Sequence, residues 1–201
     1  MFEKTKHLLM KTTSLSPTER FELIESVIKQ AKSRFEENGF AFILWGISIA
    51  LCCFAQAYLI EMGQLSRSWY PYLALPLVAL IVFFYYYKKN DRKPNPLAFL
   101  YGRIWQLIGL NIMILSFGFS YSLTLNLVPI LLILLGIATL FSASILKSSI
   151  LLFSGLMVNF SGFIAFFLSY QQQSILMGIV SIIAFLFPGI KMKIKHKKDH
   201  V

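Results

Sequence analysis

The feature that most constrains this chain is a succession of long apolar runs joined by short polar connections. A run of about 18 residues, rising about 1.5 Å per residue, reaches across the roughly 30 Å hydrocarbon layer of a bilayer. Backbone N–H and C=O groups find no water there, so each run must close its hydrogen bonds within itself as a helix. Six runs are read from the sequence, over 40–60, 70–87, 104–123, 127–146, 149–170 and 174–190. A segment over 1–38 precedes them, a basic tail over 191–201 follows, and 39–190 forms one membrane domain. The expected fold is all-α: a polytopic six-transmembrane-helix bundle preceded by a cytoplasmic amphipathic helix at 17–38.

Composition agrees with this. At 57% hydrophobic and 14% charged residues, the 201-residue chain is too apolar for a water-soluble domain of its size. The net charge of +10 would suit nucleic acid were it not for where the charges lie. If the N-terminus is cytoplasmic, every Lys and Arg except Arg67 falls on the cytoplasmic side, as the positive-inside bias requires. Both termini are therefore expected in the cytoplasm, at the inner (cytoplasmic) membrane. The first span is expected to act as an uncleaved signal anchor, because MFEKTKHLLMKTT has no apolar core before a cleavage site.

The helix ahead of the first span has a start written in its sequence. Ser16 is placed to cap it, Pro17 to occupy its first position and Glu19 to complete a capping box. Phe21, Ile24, Ile28, Ala31 and Phe35 recur at spacings of three and four and make one apolar stripe. Such a helix rests on the bilayer or on the bundle's cytoplasmic face, or else docks a cytoplasmic protein partner.

Ala31-Lys32, Phe35, Glu37 and Gly39, followed by Trp45-Gly46 early in the first span, resemble the opening of a family of small, uncharacterised multi-span bacterial inner-membrane proteins. The resemblance covers about the first quarter of the chain together with the six-span layout. It implies a membrane bundle of about six helices and carries over no catalytic residue.

Within lipid, helices associate through close packing and polar contacts, so small residues mark the expected contact faces. They recur every seventh position in five spans. Gly39, Gly46 and Cys53 lie in the first, and Gly102, Gly109 and Ser116 in the third. The fourth has Pro129, Gly136 and Ala143, the fifth Ser148, Gly155, Gly162 and Ser169, and the sixth Ser174, Ser181 and Pro188. Span two lacks the pattern and is expected to face lipid. A homo-oligomer is among the expected assemblies.

Candidate polar positions are few. Gln56, Asn111 and Asn159 lie within spans and serve either helix packing or a polar pathway. Cys52 and Cys53 read as small apolar residues, since no other ligand type falls at their depth. Lys191, Lys193, Lys195, Lys197 and Lys198 follow the last span and suit anionic lipid headgroups. No HExxH, GxSxG, P-loop or dinucleotide fingerprint is present. Hence no catalytic residue, cofactor or metal ligand is expected, and nucleic acid is not an expected partner.

The leading expectation is a non-enzymatic membrane protein meeting protein or lipid partners through its cytoplasmic helix and basic loops, as a small regulator or assembly factor. The alternative is a small transporter or channel that uses the amides of the bundle.

Overall fold

Because each apolar run closes its own backbone bonds, the computed structural model contains helix and turn but no strand among the residues it describes, which are 16–37, 39–89 and 96–198. In chain order the α-helices are α1 (Pro17–Glu37), α2 (Gly39–Glu61), α3 (Leu75–Lys89), α4 (Pro96–Gly118), the short α5 (Ser120–Leu123), α6 (Leu127–Leu146), α7 (Ser149–Ala165), α8 (Tyr170–Ser181) and α9 (Phe187–Lys198). Two 3-10 turns, Leu65–Arg67 and Tyr70–Ala74, lead into α3, and a π turn, Ile182–Leu186, joins α8 to α9.

Five stretches are long and apolar enough to cross a membrane: Gly39–Glu61, Leu65–Lys88, Phe99–Gly118, Leu127–Ile145 and Tyr170–Ile194. The chain is thus built as a multi-pass membrane protein. The fifth apolar run, expected over 149–170, is helical only over Ser149–Ala165, which at 17 residues is shorter than the other candidates. Its helix ends because Phe166 and Phe167 turn and Ser169 opens α8.

The start of α1 follows the capping logic of its sequence. Ser16 N–H donates to Glu19 Oε2 at 2.7 Å and Glu19 N–H donates to Ser16 Oγ at 3.3 Å. The bond from the Ser16 backbone, then that with its side chain, holds the Glu19 carboxyl below the usual carboxylate range. A carboxylate depressed in the folded state supports the helix above its unfolded pKa, and that support is lost as pH falls through the lower folded value. Acidification should therefore fray residues 17–20 first, seen as faster amide hydrogen exchange at α1's start. Ser16→Ala should fray the same turn at neutral pH, while Glu19→Gln, which removes the titrating group, should flatten the pH dependence; an unchanged acid response in Glu19→Gln would exclude the capping box as its cause.

Two antiparallel helix pairs carry the packing, and glycine makes both possible. In the first, α2 runs against α8, the π turn and α9. A Cβ on Gly46 would lie 2.6 Å from the Leu186 backbone nitrogen, and one on Gly39 would lie 2.7 Å from the Gly189 carbonyl oxygen. Further along, Gly178 faces Phe54 and Cys53. Pro188 accounts for the π turn: it offers no N–H to the carbonyl of Ala184, and its ring would press on that carbonyl in a regular helix. Widening the preceding turn removes the clash.

The second pair is the α6–α7 hairpin. Lys147 takes a left-handed conformation (φ 47°, ψ 44°), where glycine is the usual residue, and its N–H returns to the Ala143 carbonyl. From this tight turn the helices run back along one another, with Leu140 against Gly155, Asn159 against Gly136, and Ile133 and Pro129 against Gly162. Gly136→Ala should loosen the hairpin, because its Cβ would lie 2.7 Å from the Asn159 nitrogen and backbone must move to admit it. An unfolding free energy lowered by about 1–3 kcal/mol in detergent is expected; wild-type stability would show that the two helices stand further apart.

The seven-residue stripes of spans one, four and five thus supply close-contact positions in these pairs, while the glycine contacts of span six come from Gly178 and Gly189, outside its Ser174, Ser181 and Pro188 series. The stripe of span three does not. Among the described residues nothing lies within 4 Å of a Cβ placed on Gly102 or Gly109. α4 instead turns Tyr101, Trp105 and Ile112, spaced by four and seven, toward the core. The larger side chains occupy the inner face and carry the glycines outward. Span two does expose most of its surface, as expected, but α4 is barer still: no residue of its apolar window is buried.

Candidate functional site

The densest polar arrangement lies where α2 nears its end and α8 begins. Gln56 faces inward there and is 3% exposed. Its Oε1 accepts from Tyr72 Oη at 2.8 Å and from Ser174 Oγ at 2.6 Å, while its Nε2 donates to Tyr170 Oη at 2.7 Å. One amide therefore ties together α2, the 3-10 turn ahead of α3, and the first turn of α8. An amide oxygen has two lone pairs, and both are engaged.

The cysteines extend this clasp. Tyr72 already gives its proton to Gln56, so Cys53 is the donor in the 3.4 Å contact between its sulfur and the Tyr72 hydroxyl. Cys52 donates to the Pro71 carbonyl at 3.1 Å. The small side chains allow the 3-10 turn to approach, and their weak S–H groups add direction to the contact.

A second amide organises the adjoining connections. The sequence Ser169-Tyr-Gln-Gln172 forms a capping box, with the Ser169 N–H donating to Gln172 Oε1 at 3.0 Å. Gln173, next along and 1% exposed, donates from Nε2 to the Leu125 carbonyl at 2.9 Å and to the Leu168 carbonyl at 3.1 Å. It joins the turn before α6 to the turn after α7. Its Oε1 is buried with no hydrogen-bond partner among the described residues.

The three amides picked out from the sequence do not share a site. Gln56 centres the clasp. Asn159 lies half-buried in the α6–α7 seam and donates to the Ile133 carbonyl at 3.4 Å, long for such a bond. Asn111 is exposed and donates to the Leu107 carbonyl of its own helix at 2.8 Å. Lys191 and Lys193 are exposed on α9, whereas the side chains of Lys195, Lys197 and Lys198 lie outside the described residues. Residues 1–15, Asn38, 90–95 and the last three positions of the tail also lie outside them.

The sequence reading did not find the partners of Gln56. Nothing local connects Tyr170 to a glutamine 114 positions away. The Gln172 capping box was open to detection, because a Ser followed three residues later by Gln is a helix-start signal. At the other end of the bundle, Trp105 Nε1 donates to Ser142 Oγ at 3.1 Å and its ring meets Phe42 edge-on at 6.4 Å, holding α4 to α6 and α2.

Among the described residues no three His, Cys, Asp or Glu side chains gather as a metal site. An open depression of about 350 Å3 is lined by Phe99, Gly102, Arg103 and Gln106 on the bare side of α4. No family model matches this chain, and no curated protein or solved structure is significantly similar to it.

Proposed function

We propose that this chain is a non-enzymatic six-span protein of the cytoplasmic (inner) membrane with both ends in the cytoplasm. It meets protein or lipid partners through α1 and the basic connections, as a small regulator or assembly factor. The sixth crossing is α7, whose 17 residues cover about 25 Å and reach the headgroup layer with help from the flanking turns.

The observation that carries this reading is the contrast between the bundle's interior and α1. Inside, Gln56 spends both lone pairs of its carbonyl on cross-helix bonds and has none of its own left for a passing solute. On α1, Phe21, Leu23 and Ile24 are exposed, Phe21 at 74%. Phe21 and Ile24 begin the apolar stripe of an amphipathic helix, which suits a bilayer surface or a partner protein. Lys191 and Lys193 are exposed on α9, the helix that α1 touches, and add attraction to anionic lipid.

Crosslinking in native membranes tests the proposal. A partner or anionic lipid should be captured by the wild type, and Phe21→Glu/Ile24→Glu should lose it while remaining inserted. Capture of nothing above background by the wild type would defeat the proposal. So would solute flux through reconstituted vesicles that Asn159→Leu abolishes, which would establish the transporter alternative.

A further inference from the structure

We propose that the bare face of α4 is the interface between two copies of this chain, with Gln106 paired to Gln106 across a two-fold axis. This rests on α4 crossing the membrane, as in the proposed function, but not on α1 having a partner.

The observation that requires a partner is Gln106 itself. It is exposed on a candidate span and makes no hydrogen bond with any described residue. In water an exposed glutamine is unremarkable, but facing hydrocarbon its amide has nothing to replace the hydrogen bonds it loses. Asn111, also exposed on α4, returns its amide to the Leu107 carbonyl of its own helix. Gln106 has no such local bond.

The surroundings of Gln106 show what kind of body fits. Gly102, Gln106, Gly109 and Met113 follow one another at spacings of four, three and four and so share a face of the helix. No described atom approaches a Cβ placed on either glycine, so another helix can come close on both sides of the amide. The depression lined by Phe99, Gly102, Arg103 and Gln106 opens on this face.

Two arguments favour a second copy over a different helix. A carboxamide is both donor and acceptor, so two of them related by a two-fold axis satisfy each other reciprocally. In addition, all copies insert with the same orientation, which puts Gln106 at the same depth in each and sets Gly102 and Gly109 opposite their equivalents. A seven-residue spacing of the glycines keeps this seam aligned in a left-handed pair.

The test is fluorescence energy transfer between labelled copies of the full chain in lipid vesicles, followed as protein is diluted into lipid. The wild type should dimerise reversibly. Gln106→Leu should weaken association about tenfold, Gly109→Leu should weaken it at least as much, and Gln106→Asn should retain much of it. Asn111→Leu, at the edge of the exposed arc away from Gln106, should leave association unchanged. Circular dichroism should show unaltered helix content in Gln106→Leu, since that side chain bonds to no described residue. A wild type that stays monomeric at every dilution, or a dimer indifferent to both Gln106→Leu and Gly109→Leu, would overturn the proposal.

Discussion

Gly46→Leu should yield a protein whose first and last spans no longer pack, the largest loss expected from any single substitution here. The reason is what stands opposite. A Cβ at Gly46 would fall 2.6 Å from the Leu186 nitrogen and 3.0 Å from its Cα, so the obstruction is backbone at the end of the π turn and not a side chain that can swing away. The one-carbon change Gly46→Ala already forces the helices apart and should lower the unfolding free energy in mixed micelles by about 1–3 kcal/mol. Leucine adds a branched side chain to the same seam, and little folded protein should be recovered. Gly118→Ala is the matched control: its Cβ meets nothing described, it lies off the Gly102–Gly109 face, and alanine favours the helix over glycine. Equal stability of the Gly46→Ala variant and the wild type would mean that α2 does not rest on Leu186.

Loss of the Gln56 amide ranks next. Gln56→Leu preserves bulk but removes the acceptor for Tyr72 and Ser174 and the donor to Tyr170. Ser174 has a fallback, since its hydroxyl also lies 3.1 Å from the Tyr170 carbonyl. Tyr72 loses its strong acceptor and keeps only the Cys53 sulfur at 3.4 Å, and a buried group so poorly paired costs about 1–3 kcal/mol. Removing that hydroxyl as well should recover part of the loss, so Gln56→Leu/Tyr72→Phe should be less destabilised than the sum of its single variants. Strict additivity in unfolding titrations would show that the two side chains are not bonded.

These two sites were unequally legible in the sequence. Gly46 was marked in advance, because it sits midway in the series Gly39, Gly46, Cys53 and small residues are what close helix contact in lipid requires. Its opposite number was not, since the π turn depends on Pro188 meeting a carbonyl one turn earlier, a matter of three-dimensional fit. Gln56 stood out as polar among apolar neighbours, but its partners come from distant parts of the chain and carry no periodic signal.

Span boundaries were readable to the extent that hydrophobicity alone decides them. α6 covers Leu127–Leu146, the stretch read from the sequence, because an unbroken apolar run meets turn residues at both ends. α4 begins at Pro96 instead of Ile104. Proline suits the first position of a helix, where its missing N–H has no role. Arg103, just ahead of the run read over 104–123, lies within this helix with its guanidinium 5.1 Å from the Phe99 ring centre. The same Gly-x6-Gly spacing that predicts inward packing in span one lies outward in α4, because spacing shows which residues share a face but not which face is turned inward.

Labelling of single cysteines with a membrane-impermeant maleimide in intact cells tests the central claim of a six-span protein with its partner-facing surfaces in the cytoplasm. Gln64→Cys and Ser169→Cys should react from outside, while Lys147→Cys and Lys191→Cys should react only after permeabilisation. The contrast between Lys147 and Ser169 reports directly on whether α7 crosses. Both reacting from the same side would remove the sixth span, and external labelling of Lys191→Cys would place the basic tail, and the contacts assigned to it, on the wrong side of the membrane.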